Sequence, residues 1–176
     1  MKKLAILICC IAFGYVAKAQ RIDGDVCVLL NESRVNFELN FSKATIHGMS
    51  EAAFAKYEQD WYKDMPEIIG DFIDDLNDEI RGLARFGYYP KSKYKLKVDV
   101  IEIATNGQFE SDVYIIDDLN NCVAKITGLV AYGSVFGTKL HRIKSGSSRS
   151  GEELGELLFK TITNSNLSKA NHKENR

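Results

Sequence analysis

The chain has 176 residues, with 23 Lys or Arg against 24 Asp or Glu, and a mean hydropathy of −0.20. That balance excludes the strongly basic chains that hold nucleic acid or anionic membrane through charge alone. Only 2 Pro and 13 Gly are present, which argues against a Pro-rich linker or a low-complexity segment.

The N-terminus reads as an export signal. Lys2 and Lys3 precede an apolar run, Leu4 to Phe13, too short to cross a bilayer. Ala17-Lys18-Ala19 then supplies the small residues of a cleavage site before Gln20. Cys9 and Cys10 lie inside the apolar run, too early to be a lipid-anchoring cysteine. Cleavage after Ala19 removes Lys2, Lys3 and Lys18, leaving 20 basic residues against 24 acidic ones, a net charge of −4. Export also makes a disulfide between the two remaining cysteines, Cys27 and Cys122, chemically allowed. The bland alternative is two small buried hydrophobes. Residues 20–163 suit one domain.

Asp25 to Leu30 is an apolar run expected to form a first strand, followed by a turn at Asn31 to Arg34. Val35, Phe37, Leu39 and Phe41 alternate with polar residues, the period of a half-buried strand. Ala44 and Ile46 fall on the other parity, which calls for a bulge near Ser42-Lys43. Ser50 is placed to cap a long helix whose apolar stripe includes Phe54, Tyr57, Trp61, Met65, Phe72, Leu76 and Ile80. Pro66 interrupts it and predicts a kink or restart there, with Asp64 and Glu67 as the new cap. Gly82 or Gly87 can end it.

Tyr94 to Tyr132 reads as three antiparallel strands. Leu96, Val98 and Val100 alternate with Lys95, Lys97 and Asp99, and Asn106-Gly107 predicts a type I′ hairpin turn. Asp117 to Asn121 is a second turn, and Val123 to Tyr132 the third strand. Residues 133–149 are expected as a Gly- and Ser-rich loop. Ser150 and Glu153 form a capping box for a last helix lined by Leu154, Leu157, Leu158 and Ile162. Gly151 and Gly155, one turn apart, permit a close backbone approach. Residues 164–176 are polar, lack periodicity and are expected to be disordered. The order is ββαβββα, a two-layer α+β domain with a mostly antiparallel sheet.

Catalytic chemistry finds little support. The serines Ser147, Ser148 and Ser150 lack a nucleophile elbow, and His47, His141 and His172 are scattered without metal spacing. A hydrolase would have to assemble from residues such as Ser147 and His141. Asp117 to Asn121 lacks the Gly and Glu of a calcium loop, and Gly133 to Lys139 lacks the spacing of a phosphate loop. The acidic run from Asp71 to Glu79 reads as the wet face of a helix. No cofactor, metal or catalytic residue is assigned.

Two binding surfaces remain. The segment after the third strand carries Val135 and Phe136 beside Lys139, His141, Arg142 and Lys144, which suits an envelope protein or a glycolipid. Tyr88 and Tyr89, next to Pro90, are the aromatic residues best placed to be exposed, and suit a small ligand or glycan. Tyr57 and Trp61, at helical spacing, are expected in the core.

The meander, the G-S-V-F-G-T loop and the closing S-G-E-E-L-G-E-L-L helix resemble small exported α/β proteins of bacterial envelopes. These are the lipopolysaccharide-assembly lipoprotein type and the curli-secretion type. The AKAQ region is similar to cleavage sites of exported Bacteroidetes proteins. The resemblance implies a periplasmic or secreted accessory protein that binds another envelope component and is not an enzyme. It departs in lacking a lipid-anchoring cysteine.

Overall fold

The computed structural model of the chain describes residues 20–174; the expected leader, residues 1–19, lies outside them. The fold is a two-layer α+β domain with a mixed sheet. The strands are β1 (Arg21–Gly24), β2 (Val35–Asn40), β3 (Thr45–Ile46), β4 (Met49–Ser50), β5 (Phe86–Gly87), β6 (Tyr94–Ile103), β7 (Gln108–Asp117) and β8 (Cys122–Tyr132). The helices are α1 (Glu51–Tyr57), α2 (Trp61–Glu79) and α3 (Lys139–Glu174). The spatial order is β1-β8-β7-β6-β2-β5, with the β3–β4 hairpin added beside the far end of β6. The expected meander forms the antiparallel centre, while β2 lies parallel to both β6 and β5.

Alternation decides which face is buried. Phe37, Leu39, Leu96, Val98, Val113, Ile115, Ala124 and Ile126 turn toward the helices and are buried. The opposite face carries charge that is paired within the sheet. Lys95 meets Glu38 at 3.2 Å, Lys97 meets Asp99 at 2.8 Å, and Lys125 meets Asp112 at 3.4 Å. Asn40 Nδ2 also donates to Asp99 Oδ1 at 2.7 Å. Burial works to raise the Asp99 pKa, but these donors outweigh it and hold the carboxyl below its ordinary value.

The segment expected as a first strand is instead a short 3₁₀ helix, Val26–Asn31, and the strand lies earlier, in β1. The Asp25 side chain accepts from the Cys27 backbone N–H at 2.9 Å and starts the turn. Three-residue spacing then puts Val26 and Leu29 together in the core, as i and i+3 eclipse in a 3₁₀ helix. The polarity switch at Ala44 and Ile46 is made at Ser42-Lys43, as expected, by a tight turn closed by Ala44 N–H to Phe41 O at 2.8 Å, which carries the chain from Asn40 beside Asp99 to Thr45 beside Glu102. His47 (φ 49) and Gly48 (φ 79) form the two-residue loop between β3 and β4, both left-handed as a type I′ turn requires. At Asn106-Gly107 only Gly107 is left-handed, at φ 84. That loop is longer, closed by Gly107 N–H to Ala104 O at 3.1 Å and Ala104 N–H to Gln108 O at 2.9 Å.

The long helix breaks at Glu58–Asp60, not at Pro66. Ser50 caps α1 as expected, its Oγ accepting from the Ala53 N–H at 3.3 Å. Glu58 is extended and ends α1, and Trp61 starts α2. The break folds Trp61 back on its own neighbours, edge-on to Phe54 at 5.2 Å and to Phe41 at 5.4 Å. Its Nε1–H donates to Glu51 Oε1 at 3.0 Å. Pro66 lies in the second turn of α2, where its missing N–H costs one hydrogen bond without ending the helix. The break also shifts Tyr57 out of the stripe, leaving it 60% exposed rather than in the core.

The largest difference is α3, which begins at Lys139, so the expected 17-residue loop shrinks to residues 133–138. Thr138 supplies the cap in place of Ser150, its Oγ1 accepting from the His141 N–H at 3.2 Å. Ser147, read as a loop former, and Gly151 and Gly155, read as a close-approach pair, line a close seam with α2. Ser147 Oγ donates to Ile68 O at 2.8 Å. A Cβ on Gly151 would stand 2.3 Å from Phe72 O, and one on Gly155 2.7 Å from the Glu79 Cβ. Tertiary packing overrides their low helix propensity. The helix also continues to Glu174, through residues expected to be disordered.

Candidate functional site

The sheet has two ends, set by the hairpin register. Tyr94 lies opposite Asp117 at one, Ile103 opposite Phe109 at the other. The 10 residues of β6 separate them, a span of ~30 Å at the usual strand rise. Each end carries one of the two surfaces read from the sequence.

At the Ile103 end, the 104–107 turn, residues 133–138, α1 and the start of α3 come together. Gly133 N–H donates to Gly107 O at 3.0 Å, which sets the two loops side by side. Four apolar or aromatic side chains stand out here: Tyr57 at 60% exposure, Tyr132 at 67%, Val135 at 59% and Phe136 at 80%. The segment that carries Val135 and Phe136 is tied down. Ser145 Oγ accepts from the Ser134 N–H at 2.8 Å, and Ser134 Oγ from the Phe136 N–H at 3.1 Å.

The cations at this end are engaged. Lys139 Nζ sits 3.8 Å from the centre of the Tyr57 ring and donates to its hydroxyl at 2.6 Å, with Glu58 at 3.5 Å. The Tyr57 hydroxyl, foremost, holds the Lys139 pKa above its ordinary value. Arg142 Nη1 donates to Thr105 O at 2.7 Å. Lys144 pairs with Glu67 on α2. With Asp60 at the N-cap of α2 and Asp64 in its first turn, both lining a cleft with Glu58 and Leu140, the patch is mixed in charge and less basic than expected. Behind it lies His47, its ring edge-on to Phe54 at 5.6 Å and neither ring nitrogen hydrogen-bonded. Burial, then the Arg142 and Lys139 charges, hold the His47 pKa below its ordinary value, against a smaller pull from Glu58.

Val135, Phe136, Lys139 and Arg142 thus belong to this end, and the His141 ring lies beside Gly137 of the same segment; His141 and Lys144 also reach a second surface. They line a depression of about 320 Å³ between α2 and α3, with Asp71, Asp74 and Asp75. Burial and the neighbouring Glu67 raise the Asp71 pKa.

At the Tyr94 end, residues 88–93 and Arg34 shape an open groove of about 480 Å³, lined by Arg34, Tyr88, Tyr89, Lys91, Lys93 and Glu32 among others. Tyr88 is 83% exposed. The Arg34 guanidinium lies 5.3 Å from the centre of the Tyr89 ring. The loop is pinned to β2: Tyr89 N–H donates to Asn36 Oδ1 at 3.0 Å, and Asn36 N–H to Ser92 Oγ at 2.9 Å. Ser92 Oγ in turn donates to Tyr94 O at 2.8 Å. The sequence marked Tyr88 and Tyr89 but missed Arg34, which precedes a strand with nothing to distinguish it. It also missed Tyr57, whose helical spacing pointed inward.

Cys27 and Cys122 are both free thiols, so the allowed disulfide does not form; Cys27 is half-buried and Cys122 exposed. Among the described residues, no group of three or more His, Cys, Asp or Glu could hold a metal ion, and no helix is long and apolar enough to cross a membrane.

No family profile matches the chain, and no curated protein matches it. Among solved structures it is similar to a point variant of the PelC dodecamer from Paraburkholderia phytofirmans. Identity is 16% and the TM-score 0.42, with 79% of this chain and 97% of that one covered. A second crystal form of the PelC dodecamer from the same organism gives 14% identity and a TM-score of 0.42, with 78% and 96% covered.

Proposed function

We propose that the chain is a non-enzymatic, exported protein of a bacterial cell envelope whose Ile103 end docks on another envelope protein. The observation that carries this reading is that Tyr57, Tyr132, Val135 and Phe136 are all exposed at this end, the last two on a segment held by its own hydrogen bonds. Ordered, exposed aromatic anchors are what protein interfaces use, because little entropy is lost when they are covered. Export rests on the basic, apolar and small-residue pattern of residues 1–19. A protein partner fits better than a glycolipid: Glu58 beside Lys139, with Asp60 and Asp64 lining the same cleft as Glu58 and Leu140, would be repelled by an anionic lipid surface.

A photo-crosslinking side chain at position 135 in growing cells tests it. One defined envelope protein should be captured there and not from position 119, at the opposite end. A Val135→Asp, Phe136→Asp double variant that folds and keeps the same partner would overturn the reading.

A further inference from the structure

We propose that the groove at the Tyr94 end binds an acidic saccharide, a glycan bearing uronate carboxylates. The site is independent of the docking surface proposed for the other end, and it is defined by three features of the groove.

The first is charge left uncompensated. The groove offers Arg34, Lys91 and Lys93 against one carboxylate, Glu32. None of the three cations forms a salt bridge with a described carboxylate, although Lys93 lies over the Tyr94 ring at 5.0 Å with Glu32 and Asp118 in electrostatic reach, while Lys95 and Lys97, a few residues on in β6, are both paired. In a chain whose mature form carries a net charge of −4, three cations are gathered here around one groove. An anion is the ligand that such a place attracts.

The second is the form of the cationic group. Arg34 is held over the Tyr89 ring, so its planar fork of donors is oriented before any ligand arrives. A guanidinium fork matches a carboxylate with two parallel hydrogen bonds, and prior orientation lowers the entropy lost on binding.

The third is the aromatic surface. Tyr88 is 83% exposed beside Pro90, on a loop fixed by the Asn36 and Ser92 hydrogen bonds. The negative face of such a ring receives the polarised C–H groups of a sugar ring. The groove is open and carries no aliphatic wall other than Pro90, so it offers nothing to an acyl chain. Its volume of about 480 Å³ lies inside the usual range of ligand sites, about 300–1,000 Å³.

Titration of tri-galacturonate into the exported chain, followed by amide NMR, tests the site. Saturable shifts should be confined to residues 32–36 and 88–94. Arg34→Gln should weaken binding about tenfold and Tyr88→Ala severalfold, and raised salt should weaken it further. Maltotriose, of similar size and uncharged, should not bind in the same range. Tyr88 is so exposed that its replacement leaves the fold intact and provides the test if Arg34→Gln fails to fold. Equal binding of maltotriose overturns the proposal, as does the absence of saturable shifts. Inorganic phosphate binding as tightly as the saccharide, with no effect of Tyr88→Ala, overturns it too. Retained binding in the Val135→Asp, Phe136→Asp variant separates this site from the docking surface.

Discussion

Both ends of the sheet place a cation on a tyrosine ring, and they use the pair differently. At the Ile103 end Lys139 covers Tyr57, donates to its hydroxyl and faces Glu58, so its charge is consumed inside the molecule. What remains outward is apolar: Val135 and Phe136. At the Tyr94 end Arg34 covers Tyr89 with no carboxylate bonded to it, and what remains outward is charge together with one exposed ring, Tyr88. An end whose cations are satisfied offers apolar area, which suits a protein surface. An end whose cations lack a carboxylate partner offers directed donors, which suit a small anion.

The comparison assumes that one rigid frame carries both ends, and the sharpest way to break it is at the α2–α3 seam. Gly151→Val puts a branched side chain where even a Cβ would lie 2.3 Å from the Phe72 carbonyl oxygen. Backbone cannot yield as a flexible side chain does, so the loss should reach ~3 kcal/mol or more. For a domain of this size that lowers the melting temperature by roughly 6–12 °C. Binding at both ends should fall together. A variant that melts like the parent would show that the helices can separate without cost.

Replacing the anchors should behave in the opposite way. Phe136 is 80% exposed and Val135 59%. Their change to Asp should move stability by no more than about 0.5 kcal/mol, while abolishing capture of the partner. Thermal melting read beside crosslinking separates the two effects. A large drop in stability would mean that the anchors serve the fold rather than an interface.

The sequence made the frame legible where one periodicity ruled. The β6–β8 meander and the core stripe Ile68, Phe72, Leu76 follow directly from alternation and from helical spacing. It misled where two physical demands competed for the same residues. Gly146 and Ser147 satisfy the composition of a loop, yet they are small because the Gly107 carbonyl lies against the first and α2 against the second, which only the third dimension reveals, whereas the close approach at Gly151 and Gly155 was legible from their spacing. Tyr57 obeyed the stripe until the break at Glu58 turned it outward. Asn106-Gly107 and His47-Gly48 show the same limit in turns. The second, less favoured pair forms the type I′ turn because Ile46 and Met49 pair around it. Of the candidate sites, Val135, Phe136 and Tyr88 were readable as exposed residues in polar surroundings, whereas Tyr89 is half-buried. Arg34 and Glu58 gain their roles from neighbours distant in sequence.

The smallest expected effect separates the ends by pH. The His47 pKa is held below its ordinary value of 6.5 by burial first, then by Arg142 and Lys139 from α3, with Glu58 opposing. Between the two pKa values the unfolded chain binds the proton that the folded chain refuses, so stability rises with pH across that window. The contribution is complete above about 6.5 and is lost as pH falls through the lower, folded-state value. His47→Asn keeps a residue tolerant of the left-handed backbone at φ 49 and removes the titration. The difference in melting temperature between the parent and this variant should therefore narrow between about pH 7.5 and 5.5. Over the same range, amide signals of Thr105 and Arg142 should move in the parent alone. Those of Tyr89 and Ser92, at the far end of β6, should not respond to the substitution at all. A difference that stays constant with pH would remove His47 as the source. Matching shifts at Tyr89 would show that the two ends are coupled, and the division of labour drawn between them would fail.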